Sequence, residues 1–148
     1  MTLLSKLAQS PGPALDAGLL LLRAWFGLVL AFVHGLGKIT DLAKFTEGVA
    51  SRGLPLPGLL GPAAALSEFL GGLLLAVGLL TRPSALCVAI TMLVAALHIH
   101  ASDPFGKKEL ACAYAAVALV VLVTGPGGWS LDAKLFRSAG AARRDGNA

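Results

Sequence analysis

The sequence has 148 residues, of which 56% are hydrophobic and 14% are charged, and its mean hydropathy is +0.79. This composition excludes an ordinary soluble domain and is typical of a polytopic membrane protein. The net charge of +4 and the pI near 9.4 would indicate nucleic acid binding in a soluble chain. Here the basic residues fall in predicted loops and in the C-terminal tail. We therefore attribute them to topology and anionic lipid headgroups, and expect the lipid bilayer as a partner and no nucleic acid.

Four apolar segments predict an all-α integral membrane fold, a bundle of four transmembrane helices at about residues 17–36, 59–80, 84–100 and 109–124. About 20 helical residues are needed to cross the hydrocarbon core of a bilayer. We predict a single membrane domain over residues 17–136, preceded by a leader (1–16) and followed by a flexible basic tail (137–148).

Short interfacial helices are predicted in the first connection and after the fourth span. The first would lie between Asp41 and Ser51, with Phe45 and Val49 facing the membrane surface. After the fourth span, GPGG breaks the helix and WSLDAKLF resumes as an interfacial segment, which places Trp129 at headgroup level.

Four spans place both termini on one side of the membrane. Six basic residues fall on that side and five on the other. The positive-inside rule then predicts cytoplasmic termini, by a margin of one residue. The two sets are Lys6, Arg82, Lys134, Arg137, Arg143 and Arg144 against Lys38, Lys44, Arg52, Lys107 and Lys108.

Glu68 lies near the middle of the second predicted span, where water cannot solvate its carboxylate. An acidic group at that depth costs about 2.5 kcal/mol or more on insertion scales, so it normally faces the bundle interior and finds a partner. Small residues lie three, four or seven positions from Glu68 and predict that its face packs against other helices. They are Gly61, Ala64, Ala65, Gly71 and Gly72.

The other spans also place polar or small residues at helical spacing. Arg23 and His34 are eleven residues apart, so they would be nearly eclipsed on the first helix. The third span has a stripe of Ser84, Thr91, Ala95 and His98, and the fourth has one of Glu109, Cys112, Ala113 and Ala116. We predict that these stripes meet in the bundle.

Together these residues predict a polar funnel that opens on the non-cytoplasmic side. Its predicted binding residues are Arg23, His34, Lys38, Glu68, His98 and His100, and the candidate catalytic groups are Glu68, His34 and His98. An ion pair between Arg23 and Glu68 would neutralise both charges within the membrane. The alternative is structural: the pair would only fix helix register, and the histidines would lie at the wetted interface. We predict no metal site, because His98 and His100 point in opposite directions on a helix.

The segments RAWFGLVLAFVHGLGK, LSEFLGGLLLAVGLLTRPSAL and GPGGWSLD resemble the DoxX family of small four-helix membrane proteins. The resemblance covers about residues 22–132. The residues of this chain that match the family pattern are Arg23, His34, Gly35, Lys38, Glu68, Gly125, Gly127 and Asp132. The resemblance implies a bacterial inner-membrane protein connected with respiratory or thiol redox chemistry.

Three functions are compatible with this pattern. The first is an accessory subunit of a quinone-linked oxidoreductase that binds quinone in the funnel, holds no covalent cofactor, and receives electrons from a partner protein. The second is a non-enzymatic anchor for soluble redox enzymes. The third is a small-molecule carrier, although no internal repeat is evident. Small-residue stripes also allow a homo-oligomer.

Overall fold

The protein is described from a computed structural model, which covers residues 12–135. Within that range the chain forms five helices, and residues 131–135 form a further helical segment. The helices are α1 (Pro13–Thr40), α2 (Leu42–Ser51), α3 (Pro57–Val77), α4 (Thr81–Ile99) and α5 (Phe105–Thr124). The predicted all-α fold is confirmed. The predicted basic tail and residues 1–11 of the predicted leader lie outside the described residues.

Among these helices, α1, α3 and α4 are long and apolar enough to cross a membrane. Helix α5 has 20 residues, but its first turns carry Lys107, Lys108 and Glu109. These charges shorten its apolar stretch. The crossing of the membrane by α5 therefore stays a prediction, while the chain as a whole has an integral membrane fold.

Helix α1 is longer than the predicted first span. It begins at Pro13 rather than at residue 17, with proline in the first turn, where the missing N–H costs no hydrogen bond. It also continues past residue 36 to Thr40 and contains a π-helical turn at Leu30–Gly35. A second π-helical turn, Ala95–Ile99, ends α4. Both turns interrupt the regular 3.6-residue spacing of the side chains.

Helices α1 and α3 pack with their backbones nearly in contact. Gly27, Ala31 and Gly35 are four residues apart on α1 and are all buried. A Cβ at Gly27 would overlap the carbonyl oxygen of Gly72 and lie 2.7 Å from the nitrogen of Ala76. On the α3 side, the predicted packed face is present: Gly61, Ala65, Glu68, Gly71 and Gly72 are buried, and Ala64 is half-buried.

The apolar core lies mainly between α4 and α5, with Phe26, Leu30 and Leu75 added from α1 and α3. Helix α5 contributes Ala115, Ala118 and Val121. The predicted inward stripe of α5 is therefore wrong, since Glu109, Ala113 and Ala116 are exposed and Cys112 is half-buried. Small residues occur on two faces of α5, so residue size alone does not identify the packed face.

Residues 125–135, which we call the C-terminal cap, close one end of the bundle. The two carboxylate oxygens of Asp132 accept the backbone N–H groups of Leu80 and Thr81, each at 2.9 Å, where α4 begins. The Asp132 N–H donates to the carbonyl of Gly78 at 2.9 Å. Burial opposes ionisation of Asp132, but the hydrogen bonds from Thr81 and Leu80 outweigh it and hold the pKa of this carboxyl below its usual value.

Candidate functional site

Glu68 is paired with Lys38. The Lys38 Nζ lies 2.5 Å from both Oε1 and Oε2 of Glu68. The Glu68 side chain is 3% exposed, whereas that of Lys38 is 30% exposed. The pair therefore joins a buried carboxylate to a lysine whose side chain is partly exposed.

Gly35 explains how the pair forms. A Cβ at this position would lie 2.5 Å from the backbone nitrogen of Phe69 and 2.9 Å from the carbonyl carbon of Glu68. With no side chain there, the π-helical turn of α1 rests directly on the α3 backbone beside Glu68. Lys38 follows three residues later, within reach of the carboxylate.

The predicted Arg23–Glu68 ion pair is wrong. The buried Arg23 guanidinium donates from Nη2 to the carbonyl of Trp129 at 2.9 Å and from Nε to the carbonyl of Leu19 at 3.3 Å. Its Nη1 packs against Gly78 at the end of α3. Arg23 thus contacts the C-terminal cap. The sequence did not predict these contacts, because an arginine side chain is long enough to extend to the end of the helices as well as toward the middle of the membrane.

A cavity of about 450 Å³ lies next to the Lys38–Glu68 pair, between α1, α2, α3 and α4. Its polar lining consists of Lys38, Arg52, Ser67, Glu68, Thr91 and His100, together with the Cys87 thiol. The remaining walls are apolar. Phe45 and Val49 line this cavity, so the prediction that they face the membrane surface is wrong. The Lys38 Nζ lies 5.0 Å from the centroid of the Phe45 ring, within the range of a cation–π contact.

Ser67 marks a place in the cavity for a polar ligand atom. Its Oγ is buried and has no hydrogen-bond partner among the described residues. Buried hydroxyls are nearly always satisfied by protein, water or ligand. Ser67 and Glu68 are neighbours in α3, and both line the cavity.

His100 lies where α4 ends. Its Nδ1 is 2.8 Å from Oδ2 of Asp103, and Asp103 Oδ1 is 3.6 Å from Lys107 Nζ. The hydrogen bond to His100 holds the pKa of Asp103 below its usual value, with smaller contributions from Lys107 and from the charge on His100. The carboxylate fixes the orientation of the imidazole, as carboxylates commonly do for functional histidines.

The other two predicted histidines lie elsewhere. His34 Nε2 is 3.3 Å from the hydroxyl of Tyr114 on α5, and the two rings meet edge to face at 5.3 Å. His98 is exposed. Of the six predicted binding residues, the structure therefore brings Lys38, Glu68 and His100 to one cavity, and it places Arg23, His34 and His98 outside the lining.

Sequence reasoning missed three polar residues of the cavity. It treats Arg52 only as a topology marker, and it overlooks Ser67 beside Glu68, although a hydroxyl in an apolar span is itself a signal. It places Thr91 on an inward stripe but gives it no role. No group of three or more His, Cys, Asp or Glu side chains that could hold a metal ion occurs within residues 12–135.

Two relatives align with most of the chain. It is 33% identical over 121 residues to "Inner membrane protein YqjF" of Escherichia coli (strain K12), covering 79% of this chain and 91% of the relative. It is 29% identical over 133 residues to "Putative oxidoreductase CatD" of Bacillus subtilis (strain 168), covering 89% and 94%. No solved structure matches the chain. The family model named DoxX matches residues 18–101, which is more than half of the sequence. The chain belongs to the DoxX family.

Proposed function

We propose that this protein is a small inner-membrane subunit of a respiratory or thiol redox system and that it binds a quinone in the cavity beside Lys38 and Glu68. The names of the relatives, "Inner membrane protein YqjF" and "Putative oxidoreductase CatD", support the location and the reaction class. With the inner membrane as its site, the charge distribution favours cytoplasmic termini.

The observation that carries the proposal is the Lys38–Glu68 pair in the wall of a small-molecule-sized cavity. Its volume of about 450 Å³ falls in the range of about 300–1,000 Å³ that is common for ligand sites. Such sites combine apolar walls with a few polar groups that fix the ligand's orientation. A quinone has a flat apolar ring and two carbonyl oxygens, so it matches this combination.

The residues of the cavity have distinct roles in this proposal. The Lys38 ammonium and the unsatisfied Ser67 hydroxyl donate hydrogen bonds to carbonyl oxygens of the ring. Phe45 and Val49 pack around the ring and exclude water. Glu68 accepts hydrogen bonds from Lys38 and thereby holds the ammonium at the cavity wall. The quinone, when bound, supplies the electron-accepting group.

Electrons would come from a partner protein. The two cysteines of the sequence, Cys87 and Cys112, are 25 positions apart and form no CxxC motif. We propose a soluble or membrane-bound redox enzyme as the donor, which makes this chain an accessory subunit.

The test is the quinone content of the protein purified in nanodiscs, measured by mass spectrometry, together with the binding of added decylubiquinone. We would compare wild type with Lys38→Met, Glu68→Gln and the matched control Lys44→Met, whose exposed lysine does not line the cavity. We expect wild type and Lys44→Met to retain quinone and the other two variants to lose it at unchanged secondary structure. If wild type binds no quinone, the proposal is wrong and the anchor function takes its place.

A further inference from the structure

The cavity reaches the outer surface of the bundle between α3 and α4. Six of its lining residues are also exposed, and five of these lie on two neighbouring helices: Leu60 and Ala63 on α3, and Cys87, Ile90 and Val94 on α4. Ile90 is 54% exposed, and Val94 and Leu60 are 37% and 36% exposed. A residue that both lines a cavity and lies on the surface marks an opening. We call this opening the α3–α4 groove.

The α3–α4 groove lies between two apolar helices. Helices α3 and α4 both have the length and hydropathy of membrane spans. On α4 the lining runs from Cys87 to Ile99, which at 1.5 Å per residue is about 18 Å. That is more than half of the hydrocarbon thickness of about 30 Å. The exposed lining residues of α3 and α4 are apolar or a thiol, so the groove is matched to a hydrocarbon occupant.

The basic groups of the cavity come from lining residues other than the five of the groove. Lys38 and Arg52 come from the end of α1 and the end of α2, and His100 follows the end of α4. The site is therefore amphipathic as a whole. One part offers cations and hydrogen-bond donors, and the other is an apolar channel that leads sideways into the bilayer.

We propose that the ligand is a membrane-dissolved amphiphile with one long apolar tail, which enters sideways from the bilayer and leaves its tail in the α3–α4 groove. The inference rests on the proposed function, because it takes the polar ring to be a quinone bound beside Lys38 and Glu68. It adds the class of quinone, one carrying an isoprenoid or alkyl tail, and its route of entry.

Crosslinking tests the groove better than affinity does, because a tail in lipid is already in an apolar phase and gains little free energy on entering an apolar groove. The probe is a ubiquinone analogue whose decyl tail ends in a diazirine, irradiated with the full-length protein in nanodiscs. We expect adducts on the groove residues of α3 and α4, removed by excess decylubiquinone. Ile90→Trp should reduce them at least fivefold. Leu97→Trp, on the same helix, 72% exposed and outside the lining, should not.

Two outcomes would overturn the inference while the proposed function stands. One is a pair of results. The quinone ring binds saturably, as measured by displacement of the matched analogue that carries methyl in place of decyl, but the tail adducts are spread over lipid-facing residues such as Leu21 and Trp25. The other is labelling of the groove by a photoreactive phosphatidylglycerol that quinone does not displace. The groove would then be a phospholipid site. Absence of saturable binding by either quinone would instead contradict the proposed function.

Discussion

Lys38 and Glu68 are 30 residues apart in the chain, and the ammonium of one lies 2.5 Å from both carboxylate oxygens of the other. Removing one member of such a pair leaves a charge without its partner, which typically costs about 3–5 kcal/mol. Because the Lys38 side chain is 30% exposed, we expect Lys38→Met to destabilise the protein by about 3 kcal/mol, the lower end of this range. Unfolding in mixed detergent micelles measures the change.

The double variant Lys38→Met/Glu68→Leu provides the control for that measurement. Replacing both charges of a buried pair by apolar side chains is often neutral. The double variant should therefore recover most of the lost stability while losing quinone binding. If the double variant were as unstable as Lys38→Met, the loss of stability would not come from leaving Glu68 without its partner.

Gly27→Ala should separate α1 from α3. The added methyl group would meet the carbonyl of Gly72 and the nitrogen of Ala76, which are backbone atoms and cannot turn aside. Overpacking of this kind costs about 1–3 kcal/mol, and we expect the upper half of that range. Gly18→Ala is the matched control, since it lies on the same helix and its added methyl group would have no such neighbour within 4 Å. It should be neutral or slightly stabilising. Equal thermal shifts for both variants would contradict the close packing.

The C-terminal cap should weaken in acid. The pKa of Asp132 is lower in the folded protein than its ordinary value of 3.8, so its contribution is fully present above that value. The contribution is lost as the pH falls through the lower, folded pKa. At pH 7 we expect Asp132→Asn to cost about 1 kcal/mol, because an amide has one acceptor oxygen and keeps only one of the two hydrogen bonds from Leu80 and Thr81. Thermal melts from pH 7 to pH 2 should show the wild type and Asp132→Asn curves converging below pH 3.8. A constant difference would exclude ionised Asp132 as the cause.

The histidines should differ in their effect on ligand binding. His100 lines the cavity, whereas His34 contacts Tyr114 on α5. We expect His100→Phe to weaken decylubiquinone binding by about tenfold, which corresponds to one lost hydrogen bond of about 1.4 kcal/mol. His34→Phe should change it less than about twofold. If His34→Phe weakened decylubiquinone binding more than His100→Phe did in a titration, the result would favour the funnel predicted from the sequence.

The sequence predicted the helices and the packed face of Glu68 because both follow from hydropathy and residue size. It did not predict the partner of Glu68. Arg23 and His34 share a stripe only if α1 is regular, and the π-helical turn at Leu30–Gly35 takes more residues per turn. His34 is thereby directed toward α5. Likewise His100 reaches the cavity only because α4 ends at Ile99. Such local changes in helical geometry leave no periodic signal in an apolar segment.

The bond between Arg23 and the carbonyl of Trp129 joins residues 106 positions apart. During synthesis, Arg23 enters the membrane with the first span, long before Trp129 has been made. Until then, of the two carbonyls that its guanidinium contacts in the folded protein, only that of Leu19 is present. The order of translation thus makes the synthesis of Trp129 the step that supplies the second carbonyl partner of Arg23. Released chains that end before Trp129 should accordingly remain more sensitive to protease than chains extended past Asp132.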